Sequence, residues 1–235
     1  MSLATSFHTQ GKYAEAEAMH RQTLRLREKV LGSDHPDTLR SMRNLAISLD
    51  DRGKYAEAEV MHRQTLQRKE RVLGKDHPDT LKSMNSLAAS LYDQGKYTET
   101  EAIQRQTLQL RERVLGKDHP DTLNSMMSFA TSLHKQGKYT NAEAICRQTL
   151  QLKERVLGKD HPDTLKSMNN LAVSLHDQGK DKEAEDIYRQ ALQHKERVLG
   201  KDHPDTLRSM NNLTLSLRQQ GKYAEAESIR QKAHI

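Results

Sequence analysis

Five copies of a His-Pro-Asp tripeptide are the residues of this chain with the most obvious chemical potential, because imidazoles are common metal ligands. The histidines stand 42 residues apart, at His35, His77, His119, His161 and His203. If the copies stack, equivalent side chains lie about 10 Å apart. Zinc needs its ligands within about 2 to 2.3 Å of one ion. The spacing therefore predicts no metal site, and we expect no cofactor.

Catalysis is not favoured either, because a nucleophile, a base and an orienting group would need positions that are unique in the chain. The one cysteine, Cys146, occupies the position that other copies fill with His20, His62, Gln104, Tyr188 and Arg230. We therefore expect a tolerated helical residue, no catalytic residues and no enzyme. A single cysteine excludes an internal disulfide framework and is typical of a reducing, cytoplasmic location.

The 42-residue period also organises the whole sequence, since a fixed period of 20 to 50 residues indicates a repeat array. After Pro78, an apolar stripe at helical spacing predicts a helix, here named helix A, over roughly 78 to 93. A second helix, helix B, is predicted from about Tyr97 to Leu115, with Gly116 as a left-handed C-cap. The periodicity outweighs a mean hydropathy of −0.92, which would otherwise suggest disorder.

The net charge of +6 is spread at about one excess positive charge per repeat, so no basic block predicts nucleic-acid binding. Glutamate precedes arginine by four residues in five places, the better orientation for a helical ion pair. The pairs are Glu17–Arg21, Glu59–Arg63, Glu101–Arg105, Glu143–Arg147 and Glu185–Arg189. They predict a solvated, salt-bridged face. No apolar run approaches the length of a membrane span, so we expect no membrane partner.

The pattern "LA..L...GKY.EAE...RQ.L" resembles the tetratricopeptide repeat (TPR), and its 42-residue period is most similar to kinesin light chain-like arrays. The resemblance implies an all-α fold, a right-handed superhelical α-solenoid of stacked helix-turn-helix repeats. It implies one array over 1–235: a partial repeat 1–35, repeats of about 36–77, 78–119, 120–161 and 162–203, and a final partial repeat 204–235. Threonine replaces the expected small alanine at Thr23, Thr65, Thr107, Thr149, Thr100 and Thr214, which puts local packing in question.

In such arrays helix A lines a concave groove for peptides, so the resemblance implies a protein or peptide ligand and a scaffold function. The groove residues carried over are Arg40, Asn44, Lys82, Asn85, Asn124, Lys166, Asn169, Asn170, Arg208, Asn211 and Asn212. Their amides and spaced cations suit an extended peptide with acidic groups. The alternative is that the cations pair with nearby aspartates, for example Lys82 with Asp79.

Helix A also carries the positions that differ most between copies. Two series are expected to determine specificity: Ile47, Ala89, Thr131, Val173 and Leu215, and Asp50, Tyr92, His134, His176 and Arg218. Drift on an exposed surface would give the same variation.

The first residues align with the second half of a helix A, and the last stop within a helix B. We expect cut points within a longer array, or terminal repeats that associate with other copies as a self-associating assembly. The sequence leaves open the natural ligand, and whether the array is a cargo adaptor, the sensor of a receptor or a free scaffold.

Overall fold

The structure, a computed structural model, describes residues 12–232, and these form eleven α-helices and no strand. In chain order they are α1 Tyr13–Leu31, α2 Pro36–Asp51, α3 Tyr55–Leu73, α4 Pro78–Asp93, α5 Tyr97–Leu115, α6 Pro120–Lys135, α7 Tyr139–Leu157, α8 Pro162–His176, α9 Asp181–Leu199, α10 Pro204–Gln219 and α11 Tyr223–Lys232. Even-numbered helices are helices A and odd-numbered ones are helices B. The predicted bounds of both helices are confirmed, and so is the all-α class.

The chain divides into two compact units between Val114 and Leu115. In the first unit, successive helices from α1 to α4 pack against each other as antiparallel neighbours in helix-turn-helix order. In the second unit, the same holds from α6 to α11. The single continuous array stays a prediction, and the expected half helix A at the N-terminus lies outside the described residues.

Each helix A begins at the His-Pro-Asp tripeptide, which explains why this segment recurs. The histidine is the N-cap, and its Nδ1 accepts a hydrogen bond from the backbone N–H of the aspartate two residues later, at 3.2 Å for His35 and Asp37 and 3.1 Å for His77 and Asp79. Proline suits the first helical position because it has no N–H that would need a partner. The tripeptide is therefore a helix start, and its imidazole is already used in the cap.

The helices B from α1 to α9 each end at a glycine with positive φ, and four of these glycines are not in the left-handed helical conformation that was predicted at Gly116. Gly74 has φ 88° and ψ 162°, and Gly158 has φ 90° and ψ 161°. Gly116 itself has φ 86°. Such values combine a positive φ with an extended ψ, a region open essentially to glycine alone. The chain thus leaves helix B extended and enters the next helix A cap directly.

The core of each repeat is built mainly by helix A. Leu81, Met84, Leu87 and Leu91 are all at most 2% exposed, as the stripe predicted. The threonines that replace alanine fit without an unsatisfied hydroxyl, because each donates to the backbone carbonyl four residues earlier. The six distances are 2.8 Å for Thr23, 2.7 Å for Thr65, 2.9 Å for Thr100, 2.7 Å for Thr107, 2.7 Å for Thr149 and 2.8 Å for Thr214.

All five glutamate–arginine pairs form, at 2.8 to 2.9 Å. The predicted solvated face is nevertheless wrong for their glutamates. Glu17, Glu143 and Glu185 are buried, at 4%, 8% and 7% exposure. Each of these three glutamates also accepts a hydrogen bond from the lysine of the glycine turn in the next repeat, as Glu143 does from Lys180 at 2.6 Å. These carboxylates therefore join consecutive repeats.

No helix in the part of the chain that the structure describes is both long enough and apolar enough to cross a membrane.

Candidate functional site

The predicted groove cations are exposed near the start of helix A. The positive end of the helix dipole and the aspartate at the second helical position (N2) are found in the same region. Three of them pair with the aspartate three residues earlier, at 2.5 Å for Arg40 and Asp37, 3.5 Å for Lys82 and Asp79, and 2.7 Å for Arg208 and Asp205. This is the alternative that the sequence left open. The cationic side chains are 55% to 65% exposed, and exposed pairs contribute at most about 1 kcal/mol. The pairing is therefore weak, and the cations remain accessible.

The groove polar residues one turn later connect neighbouring helices A. In the second unit, Asn212 Nδ2 donates to Asn169 Oδ1 at 2.7 Å, from α10 to α8. In the first unit the equivalent contact joins Arg43 and Ser86, which were not in the predicted set: Arg43 Nε donates to Ser86 Oγ at 2.9 Å, from α2 to α4. The other predicted asparagines divide between half-buried Asn44, Asn85 and Asn170 and exposed Asn124 and Asn211.

The two variable series separate in the structure. The first series stays at the surface: Ala89, Thr131 and Leu215 are exposed, and Ile47 and Val173 are half-buried. Most members of the second series are engaged with a neighbouring side chain. His134 Nε2 lies 2.5 Å from Asp177 Oδ2, His176 Nδ1 lies 2.7 Å from Asp181 Oδ1, Tyr92 meets Tyr97 edge to face at 5.4 Å, and Arg218 lies 3.7 Å from Glu227.

Asp50, in the second series, is the most constrained of these residues. Its two carboxylate oxygens lie 2.9 Å from His62 Nε2 and 2.7 Å from Ser90 Oγ, which donates to it. His62 is buried, at 1% exposure. Asp50 thus joins α2 to α3 and to α4 rather than facing a ligand.

A cavity of about 120 Å³ opens in the second unit at the position equivalent to this Asp50–His62 contact. Three helices line it, and four of the predicted residues lie among its walls. The lining consists of Met127, Ala130, Thr131 and His134 from α6, Ala142 and Cys146 from α7, and Asn170, Val173 and Ser174 from α8. The predicted residues Thr131, His134, Asn170 and Val173 are thereby brought together at one place.

Cys146 lies on the floor of this cavity, at 3% exposure. Burial, with a contribution from the charge of Glu143, raises the pKa of its thiol to about 11. A thiol held protonated is a poor nucleophile. Cys146 therefore acts in this site as a small apolar wall.

The sequence did not reveal a series of buried cations in helix B. Lys69, Lys153 and Lys195 are at most 5% exposed, and each donates to the backbone carbonyl of the N2 aspartate of the following helix A, at 3.2, 3.4 and 3.3 Å. Burial lowers the pKa of all three ammonium groups. Their signal was present in the sequence, since this position is always Lys or Arg in otherwise nearly identical segments. They tie helix B to the next helix A and do not form a ligand site.

Among residues 12–232 no three His, Cys, Asp or Glu side chains are placed together to hold a metal ion.

Comparison with known proteins places these repeats in a family. Two family profiles, both described as tetratricopeptide repeat, match the chain. One matches residues 1–71, 51–97, 124–196 and 175–234, and the other matches residues 80–121. No curated protein sequence matches the chain.

Among solved structures, a candidate kinesin light chain of Podosopora anserina with nearly identical TPR-like repeats is 25% identical, with a TM-score of 0.77. The match covers 85% of this chain and 95% of that one. BtubC (BKLC) from P. vanneervenii is 18% identical, with a TM-score of 0.79 over 94% of this chain and 89% of that one, which shows a shared fold. The repeats are thus of the kinesin light chain-like kind, and the chain belongs to the tetratricopeptide repeat family.

Proposed function

We propose that this protein is a non-enzymatic scaffold whose helices A bind an extended segment of a partner protein, with a preference for acidic segments. Repeats of this family generally mediate protein–protein interaction. The finer statement, a ligand on helix A, is supported above all by one observation. One surface series of helix A holds a different amino acid in every repeat, while the helix starts and the glycine turns are kept; the series is Ile47, Ala89, Thr131, Val173 and Leu215.

The preference for acidic segments is supported by the cations at the start of helix A. Lys82, Lys166 and Arg208 are exposed. Two of them have an aspartate partner in a weak, solvated pair, and a ligand carboxylate could replace this partner at little cost. An extended peptide also needs donors and acceptors for its backbone, and the half-buried asparagine amides on the same helices supply both.

A panel of fluorescein-labelled peptides, acidic, phosphorylated, neutral and basic, tests the proposal by fluorescence anisotropy. We expect acidic peptides to bind with micromolar dissociation constants and the triple variant Lys82→Glu/Lys166→Glu/Arg208→Glu to weaken them at least tenfold. The matched control is Lys75→Glu/Lys159→Glu/Lys201→Glu, which changes the net charge equally on exposed lysines of the loops before helix A. The control should retain binding if location, rather than net charge, matters.

Other outcomes point to other functions. Equal loss in both variants would show that only overall charge attracts the peptides. Binding of a single-stranded oligonucleotide alone, with a steep salt dependence, would indicate phosphate-backbone recognition. If no peptide binds and light scattering shows a mass that rises with concentration, the self-associating assembly is the better description.

A further inference from the structure

We propose that the cavity between α6, α7 and α8 is a specificity pocket that takes one branched aliphatic side chain of the bound segment. This inference rests on the proposed function, because it places the ligand on helix A. It goes further by naming the chemistry of one ligand residue and the residue of this chain that creates the space.

The origin of the cavity is visible in a comparison between repeats. In the first unit, the helix B position is His62, and its imidazole reaches Asp50 on helix A at 2.9 Å. In the second unit, the equivalent residues are Cys146 and His134, and both line the cavity instead of meeting. One repeat further on, the same helix B position is Tyr188, which is 5% exposed within the core. Cys146 is the smallest residue in this series. It leaves open a space that His62 and Tyr188 fill in other repeats.

The size and lining of the cavity select its occupant. A volume of about 120 Å³ is several times the roughly 30 Å³ share of one water, and somewhat less than an engineered 150 Å³ cavity that holds benzene. The buried part of the lining is Ala130, Ala142, Cys146 and the hydroxyl-bearing Ser174. A branched aliphatic group fits this space, whereas a charged group would lose its hydration and find only one buried hydroxyl in exchange, that of Ser174, which has no hydrogen-bond partner within the protein.

The rim is suited to the peptide backbone on either side of that residue. Thr131 is exposed and Asn170 is half-buried at the edge. His134 is fixed by Asp177 at 2.5 Å and packs edge to face on Tyr139, with ring centres 5.2 Å apart. The amide of Asn170 can both donate to and accept from a backbone. A floor that is apolar apart from one hydroxyl, together with a polar rim, is the usual composition of a ligand pocket.

The first experiment tests the cavity alone, with 3-methyl-1-butanol as a probe of the leucine side chain. The alcohol is titrated into ¹⁵N-labelled protein and followed by amide chemical shifts. We expect saturable shifts confined to residues around the cavity, such as Ala130, Ala142 and Val173. Cys146→His, which copies the residue of the first unit, should bind the alcohol at least tenfold more weakly. Ala144→His, on the exposed face of the same helix, is the matched control and should bind as the unmodified protein does.

Absence of saturable shifts in the unmodified protein would overturn the proposal, as would equal binding by a folded Cys146→His variant. Circular dichroism checks the fold of each variant. If Cys146→His does not fold, Cys146→Met fills the same space without a polar atom and replaces it in the comparison.

The second experiment tests whether the occupant belongs to a peptide. A random 12-residue library displayed on phage is selected on the unmodified protein and on Cys146→His. We expect the first pool alone to be enriched in Leu, Ile or Val at one position, while both pools share their other preferences. Shared enrichment at that position would overturn the pocket assignment. Binding of the alcohol with no peptide enriched on the unmodified protein would instead show that the proposed function fails while the cavity accepts a free small apolar molecule.

Discussion

Two buried positions on helix B, three residues apart, behave in opposite ways. One is always glutamate, as in Glu143, which is 8% exposed. The other holds five different amino acids in six repeats, as in Cys146, which is 3% exposed. The varied series consists of His20, His62, Gln104, Cys146, Tyr188 and Arg230. Burial alone therefore does not determine whether a position keeps the same amino acid in every repeat.

The difference lies in what each position contacts. Glu143 accepts from Lys180, which belongs to the glycine turn kept in every repeat, so its partner never changes. His62 contacts Asp50, which belongs to the variable second series of helix A. A position that contacts a constant partner stays constant, and one that contacts a variable partner varies with it. Positions of the first kind hold consecutive repeats together. Positions of the second kind vary together with the helix A residues that they contact.

Acid should give the largest effect, because it acts at once on Glu17, Glu59, Glu143 and Glu185, whose pKa values are all lowered in the fold. Burial alone would raise the pKa values of Glu17 and Glu143, but hydrogen bonds from their cations and, for Glu143, from Gln178 outweigh it and lower both to about 2. The ordinary value is 4.5. These carboxylates therefore stabilise the fold fully above pH 4.5, and the contribution is lost as the pH falls toward 2.

Urea unfolding between pH 6 and pH 3 measures this loss. Several glutamates contribute, so we expect a total of several kcal/mol over the range. Glu143→Gln removes one member and should make the dependence on pH shallower. An unchanged slope in that variant would show that the glutamate series does not control acid stability.

Glu143→Ala should cost about 2 kcal/mol at pH 7, because it leaves Lys180 and Arg147 without their shared, buried acceptor. The matched control is Glu183→Ala, since Glu183 is 56% exposed and pairs with Arg147 alone at 2.7 Å. An exposed pair contributes less than about 1 kcal/mol. The loss of stability in each variant is measured as the shift of its urea unfolding midpoint. Equal losses would mean that burial of the carboxylate is irrelevant.

Much of the scaffold could be predicted from the sequence, because the period repeats every local signal five times. Proline at the helix start, glycine after each helix and the apolar stripe gave the bounds of helices A and B correctly. The glutamate–arginine pairs followed from their spacing of four residues. Their burial did not follow, because spacing within one helix says nothing about the lysine that the next repeat adds.

The candidate site was less predictable, because it also depends on contacts between different helices. Thr131, His134, Asn170 and Val173 were singled out, and they meet around one cavity. The cavity itself depends on the size of Cys146, which belongs to helix B and was treated as a tolerated substitution. The sequence did show that Cys146 is smaller than His62 at the same position of the repeat. This difference indicates a cavity only when the contact between His62 and Asp50 is known.

His62→Cys would create in the first unit the situation found at Cys146, and we expect it to cost about 1 to 2 kcal/mol. The variant removes the buried partner of one Asp50 oxygen and leaves a space where the imidazole packed. Gln64→Cys, exposed on the same helix, is the control and should change stability by less than about 0.5 kcal/mol. The measurement is the free energy of unfolding in urea of His62→Cys and of the control. No loss at His62 would mean that its contact with Asp50 does not stabilise the first unit.

Cys146→Met should give the smallest effect and the opposite sign, a gain of about 0.5 to 1 kcal/mol. A methionine is flexible enough to enter the cavity, where it would bury apolar surface against Val173 and Met127 without displacing the walls. Ala144→Met, exposed on α7, lacks such a space and should leave the unfolding free energy nearly unchanged. Thermal unfolding with calorimetry measures both. A destabilised Cys146→Met variant would mean that the walls cannot accept a side chain from within the protein, and the contrast drawn between Cys146 and His62 would then fail.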